Sequence, residues 1–146
     1  MNKNLLNKSN KYLANVGVSY IKLHNLHWNV VGLNFKAVHE YLEGIYDSMA
    51  EVLDEVAELI KMEGGYPLAS LKDYLAVSSL EELESRDYSI KESLDILLKD
   101  MKSLREEVLE IREVADEFDV ISFVNMAEDH LANYNKNIWF IESMLK

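Results

Sequence analysis

Residues 24–58, HNLHWNVVGLNFKAVHEYLEGIYDSMAEVLDEVAE, decide the fold. From Val38 onward the apolar residues Leu42, Ile45, Met49, Val52, Val56 and Leu59 alternate steps of four and three without a slip. That seam is one face of a long amphipathic helix built to pack against other helices. Gly32 interrupts the pattern upstream, Asn34 is placed to cap a helix starting near Phe35, and Gly64-Gly65 followed by Pro67 end it.

Upstream of this seam, Leu5, Leu6, Leu13, Val16, Tyr20, Leu23 and Val30 keep helical spacing and predict a first helix over residues 5–31. The same spacing asks for an apolar residue at position 27, where the chain has His27. An imidazole on a buried stripe needs a polar partner. A hairpin turning at Gly32, with its centre near residue 33, sets His27 opposite His39.

Downstream, residues 66–87 form a long connection, with a short helix over 70–75 and a turn at Ser79, Leu80, Glu81 and Glu82, which have capping-box spacing. Ser89 and Glu92 repeat that spacing and open a third helix, whose stripe is Ile90, Leu94, Leu97, Met101, Leu104, Val108 and Ile111. A fourth helix over 120–145 carries Val120, Val124, Ala127, Leu131, Tyr134, Ile138, Ile141 and Leu145 on one face. Four long helices with a crossover between the second and third describe an all-α, ferritin-like four-helix bundle, with residues 1–146 as a single domain.

Composition narrows the chemistry. With one proline and five glycines the chain favours helix, and with no cysteine any metal must be held by imidazole and carboxylate, which suits iron, manganese or zinc. Residues 1–39 hold five lysines and no acid, so of the net charge of −11 the remainder carries −16 against +5. An acidic body disfavours nucleic acid over the general surface and concentrates cations near it. Polar residues interrupt the apolar segment 12–35 too often for a membrane span, and the start lacks a signal-peptide pattern, so a cytoplasmic protein is expected.

On a helical wheel with Val38 at zero, the seam lies within about 60° while His39, Glu43, Asp54 and Glu58 fall at about 100–200°. These polar side chains therefore point away from the bundle's own core. His39 and Glu43 are one turn apart, as are Asp54 and Glu58, yet the two pairs are separated by roughly 16 to 28 Å along the helix. One centre cannot span them within one chain. His39/Glu58 and Glu43/Asp54 share a midpoint between Ser48 and Met49, so an antiparallel twofold contact of this helix with its own copy brings His39 to the neighbour's Glu58 and Glu43 to its Asp54. With His27 across the hairpin, each of two equivalent sites gathers two imidazoles and three carboxylates, a mixed set suited to Fe(II) and to its harder oxidised product.

The motifs His27-Trp28-Asn29-Val30, Gly32, Phe35, His39-Glu40, Glu43, Asp54, Ala57-Glu58, Gly64-Gly65 and Pro67, with the segment 139–142, resemble the Dps proteins, or miniferritins, over nearly the whole chain. The resemblance implies that His27, His39 and Glu43 come from one subunit and Asp54 and Glu58 from its twofold neighbour. Family members commonly have Asp at the position of Glu43. The resemblance further implies a hollow dodecamer with 23 symmetry, a ferroxidase that oxidises Fe(II), up to two ions per site, preferably with hydrogen peroxide, and storage of ferric mineral that protects against oxidative stress. The alternative is a DNA-binding, nucleoid-compacting protein with secondary iron chemistry, using the basic start with Lys3, Lys8 and Lys11.

Other polar residues read as support. His24 is a neighbouring or interface group, or else a supplementary ligand, and His130 is structural or exposed, since no Glu-x-x-His motif occurs to build a site inside the bundle. Trp28, Tyr41, Tyr46 and Met49 read as packing residues, Trp28 also being placed to absorb a stray oxidising equivalent. The acids Glu110, Glu113, Asp116, Glu117 and Asp119 form a solvated helix end, or the lining of an iron-entry pore in a cage.

Overall fold

A computed structural model describes residues 1–146, as five helices and two short strands: α1 (Lys3–Asn29), β1 (Val30–Val31), α2 (Phe35–Met62), α3 (Leu71–Val77), β2 (Tyr88–Ser89), α4 (Ile90–Glu117) and α5 (Ile121–Leu145). The four long helices form the all-α, ferritin-like bundle expected from the periodicity. Ion pairs and hydrogen bonds fix its directions. Lys8 meets Glu110, Asn15 meets Glu107 and Lys22 meets Asp100, so α1 and α4 run antiparallel. Tyr41 meets Asn137, Glu55 meets His130 and Glu63 meets Ser122, so α2 and α5 do too.

Along the α2 seam Val38, Leu42, Ile45, Met49 and Val56 are buried in a core of 28 residues, while Val52 and Leu59 are only partly buried and Ile60 is buried beside Leu59. Truncating a fully buried leucine of this core, such as Leu104, costs about 2–5 kcal/mol. The helix stops where Gly64 enters the left-handed region at φ 80° and the Gly65 amide donates back to the Ile60 carbonyl. Helix α1 is buried on more than one face, because α2, α4 and the crossover all cover it.

The crossover departs from the sequence reading in three ways. The short helix runs over Leu71–Val77, capped by the Ser70 hydroxyl. The expected turn at Ser79 does not form. Instead the Asn15 side chain on α1 accepts from the Ser78 hydroxyl and from the Ser79 and Leu80 amides, which takes the Ser79 amide that a capping box would give to Glu82. Finally, β1 and β2 pair in parallel, Val30 opposite Tyr88 and Val31 opposite Ser89. Gly17 makes room for α3 against α1, since a Cβ there would stand 2.6 Å from the Tyr74 ring of α3.

Two further expectations are corrected. Asn34 sits at the start of α2 with φ 69° but makes no side-chain cap; it turns the backbone rather than capping it. On α5 the buried face is centred on Phe123, Met126, Ala127, His130 and Tyr134, with Val124 and Leu131 only half-buried. Ser89 and Glu92 do form the capping box that opens α4. No helix is long and apolar enough to cross a membrane.

Candidate metal centre

The α1–α2 hairpin holds His27 and His39 face to face, their rings stacked with centroids 3.6 Å apart. Each imidazole Nδ1 lies 2.7 Å from the other residue's backbone carbonyl. A carbonyl only accepts, so each Nδ1 carries the hydrogen and donates. In the neutral ring this leaves the Nε2 lone pair free. The bond from His39 also satisfies the His27 carbonyl in the last turn of α1, where no amide of the same helix reaches it. The polar partner that His27 needed is thus the backbone of His39.

Glu43, one turn along α2 from His39, brings a carboxylate oxygen to 4.0 Å from His27 Nε2, with its side chain 53% exposed. Asp54 and Glu58 lie further down the same helix, exposed on its outward side. Within one chain no three His, Asp and Glu side chains are close enough to hold a metal ion. The structure brings together His27, His39 and Glu43, and leaves Asp54 and Glu58 apart from them.

An aromatic cluster that the sequence reading treated as packing borders these residues. The Tyr46 hydroxyl donates to Glu43 at 3.3 Å, its ring stacks on His24 at 3.7 Å, and it meets His27 edge-on at 5.2 Å. Loss of water and the Glu43 carboxylate raise the Tyr46 hydroxyl above its ordinary value. The signal was present in the sequence: Tyr46 is three residues after Glu43 and seven after His39, on the same helix face. His24 donates through Nδ1 to the Tyr20 carbonyl, and Trp28, 68% exposed, tilts against it at 5.5 Å instead of packing in the chain's own core. Tyr41 is half-buried and donates to Asn137, while Met49 is buried as expected.

His130 is buried and structural rather than exposed, bonded to Tyr12 and Glu55. The basic start is largely neutralised, because Lys8 pairs with Glu110 and Lys11 with Glu107. The remaining acids from Glu113 to Asp119 are exposed around the α4–α5 turn.

Known proteins share both sequence and fold. The ferritin-like domain family matches residues 6–146. A DNA protection during starvation protein from Helicobacter pylori is 33% identical over 132 residues, covering 90% of this chain and 92% of that protein. The crystal structure of a Dps protein from Bacillus brevis superposes with a TM-score of 0.93 at 33% identity, over 100% of both chains. A Dps protein from Vibrio cholerae, described as a member of a broad superfamily of ferritin-like diiron-carboxylate proteins, superposes with a TM-score of 0.94 at 27% identity, covering 99% of this chain and 90% of that one. By domain match, shared sequence and shared fold, this chain belongs to the Dps proteins of the ferritin-like family.

Proposed function

We propose that this protein is an iron-oxidising miniferritin whose sites lie between two copies of the chain. One copy supplies His27, His39 and Glu43, and its twofold partner supplies Asp54 and Glu58. The observation that carries this reading is the pair of reciprocal hydrogen bonds between His27 and His39, which fixes both Nδ1 atoms to the backbone and leaves both Nε2 atoms for an outside ligand. Iron is substrate and cargo here. In the site, two Fe(II) ions each give one electron to one hydrogen peroxide, whose O–O bond breaks to yield two waters once two protons are added. Carboxylates stabilise the Fe(III) produced. The ferric product is stored as mineral inside a dodecameric cage, with the acids around the α4–α5 turn lining a route for cations. The DNA-compacting alternative is disfavoured by the ion pairs that hold Lys8 and Lys11.

Fe(II) oxidation by hydrogen peroxide, followed as consumption of one peroxide per two irons, tests this reading. We expect a His27→Ala, His39→Ala double variant that keeps its helical circular dichroism to lose the fast reaction. Oxidation at the wild-type rate in that variant would falsify the assignment.

A further inference from the structure

A second cluster of chemistry-bearing side chains lies inside the bundle, apart from the histidine pair. Tyr12 of α1 and Tyr134 of α5 bring their hydroxyls to 2.5 Å, Tyr12 lies 3.0 Å from His130 Nδ1, and His130 Nε2 lies 2.8 Å from Glu55 of α2. Their order is directional. An ionised Glu55 only accepts, so His130 Nε2 carries the hydrogen and donates to it; Nδ1 of the neutral ring then accepts from Tyr12, whose oxygen accepts from Tyr134. Every donor in the row has one acceptor.

Chemistry, not packing, accounts best for these residue types. A bundle core needs no phenol pair, because apolar side chains of similar volume stabilise as well or better than a buried polar network. Nor is the pair an acid: burial, first of all, holds both phenols well above their ordinary range, so neither gives up a proton at any physiological pH. Removing an electron changes that. A phenol that has lost an electron is a strong acid, and Tyr12 has a base in line at hydrogen-bond distance.

We propose that the Tyr12–Tyr134 pair is a one-electron redox site, in which Tyr12 yields an electron to a strongly oxidising radical and passes its hydroxyl proton to His130. With hydroxyl radical as the oxidant, the electron converts it to hydroxide, the Tyr12 O–H bond breaks, and the proton forms a new N–H bond at His130 Nδ1. The products are a neutral phenoxyl on Tyr12 and an imidazolium bonded to Glu55. Tyr134 continues to donate to the phenoxyl oxygen. Fe(II) then resets the site: it gives one electron to the phenoxyl, His130 returns the proton, and Fe(III) and phenol result.

Burial suits this role. Tyr12 is fully buried and Tyr134 nearly so, which shelters the phenoxyl from coupling with other radicals. A groove between α2 and α5, lined by Ser48, Glu51, Glu55, Asp129, His130 and Tyr134, gives the row one edge toward solvent. Glu55 follows Asp54 directly in α2 and faces α5, with its side chain about 100° around the helix from the carboxylate assigned above to the shared iron site. The radical forms where a single Fe(II) meets peroxide and gives Fe(III), hydroxide and hydroxyl radical in place of the two-electron reaction; that iron and peroxide meet on this protein rests on the function proposed above.

Two measurements on the full chain test the redox site. After mixing with Fe(II) and hydrogen peroxide, rapid-freeze electron paramagnetic resonance of the wild type should show a tyrosyl radical with an exchangeable proton coupling that disappears in deuterium oxide. The Tyr12→Phe, Tyr134→Phe variant, which keeps core volume, should lose this signal while oxidising Fe(II) normally. His130→Gln, which can keep both hydrogen bonds but cannot take the proton, should lose it as well. In the iron-free arm, azidyl radicals made by pulse radiolysis should leave a long-lived phenoxyl absorbance in the wild type and only a short-lived one in the double tyrosine variant. Unchanged radical signals in that variant overturn the redox site even if iron oxidation is normal. Loss of the long-lived phenoxyl in a protein that fails to oxidise iron sustains the redox site and overturns the iron reading alone.

Discussion

The molecule holds two histidine clusters that are built in opposite ways. At the hairpin, His27 and His39 spend one nitrogen each on backbone carbonyls and keep the other free, with Glu43 half-exposed beside them. In the bundle interior, His130 spends both nitrogens, on Tyr12 and Glu55. An open cluster is chemically unfinished and gains most from a ligand or a second chain. A closed cluster is finished within the chain and contributes to holding it together. The same residue type is thus left open in one place and closed in the other, and hydrogen-bond accounting distinguishes the two.

The sharpest way to break that contrast is to mix chains. Glu43→Ala and Glu58→Ala homodimers should each lose fast iron oxidation at both sites. A heterodimer of the two keeps one intact site, so it should regain about half of the wild-type activity per dimer, by the isologous geometry. Loss in the heterodimer as well would show that the hairpin cluster is not completed by the twofold neighbour.

A smaller effect separates function from stability. Glu43→Gln should leave unfolding free energy within about 0.5 kcal/mol while impairing oxidation, because the residue is half-exposed. His130→Ala leaves buried groups of Tyr12 without their partner and should cost about 1–3 kcal/mol in urea titration. If the two substitutions cost the same, the distinction between open and closed clusters has no energetic content.

The smallest expected effect concerns Glu107, which adjoins the closed cluster. Burial raises its carboxyl above the ordinary 4.5, against the opposing hydrogen bond from Asn15 and the charge of Lys11. A group whose folded value is raised contributes stability that is fully present below its unfolded value and is lost as pH rises through the folded value. Glu107→Gln keeps an acceptor for Asn15 and removes the buried charge. It should therefore raise the melting temperature slightly at neutral pH and flatten the decline on the alkaline side of pH 4.5. A melting temperature unchanged at neutral pH and an unaltered acid profile would show that the charge is already fully compensated.

The parts of this picture that could be read from sequence share a physical property: they depend on neighbours within one or two helical turns, or on symmetry about a turn. The seam of α2, its glycine stop, the Ser89–Glu92 capping box and the facing of His27 and His39 are of this kind. Whether Asp54 and Glu58 complete the site depends on a second chain, and their outward exposure on α2 agrees with such a contact without supplying it. What escaped the sequence reading depends on distant pairs. Asn15 reaches residues more than sixty positions away, and Tyr12 meets His130 across 118. No local period reveals such contacts. The rotation of the α5 face toward His130 has the same origin, since only the presence of Tyr12 and Glu55 makes an imidazole acceptable at its centre. The β1–β2 pairing is too short to leave any alternation at all.

That two-residue pairing has a consequence for how the chain folds. The α1–α2 and α4–α5 hairpins are made of contacts close in sequence and can form early and independently. The Val30–Tyr88 contact encloses all of α2 and the crossover, so it closes late, although the entropic cost grows only slowly with the length enclosed. When it closes, it fixes the start of α4 beside the end of α1. The two halves then have one orientation in which to dock, the one that carries His130 to Tyr12 and Glu55. Two paired residues act as the key that orients one half of the molecule on the other.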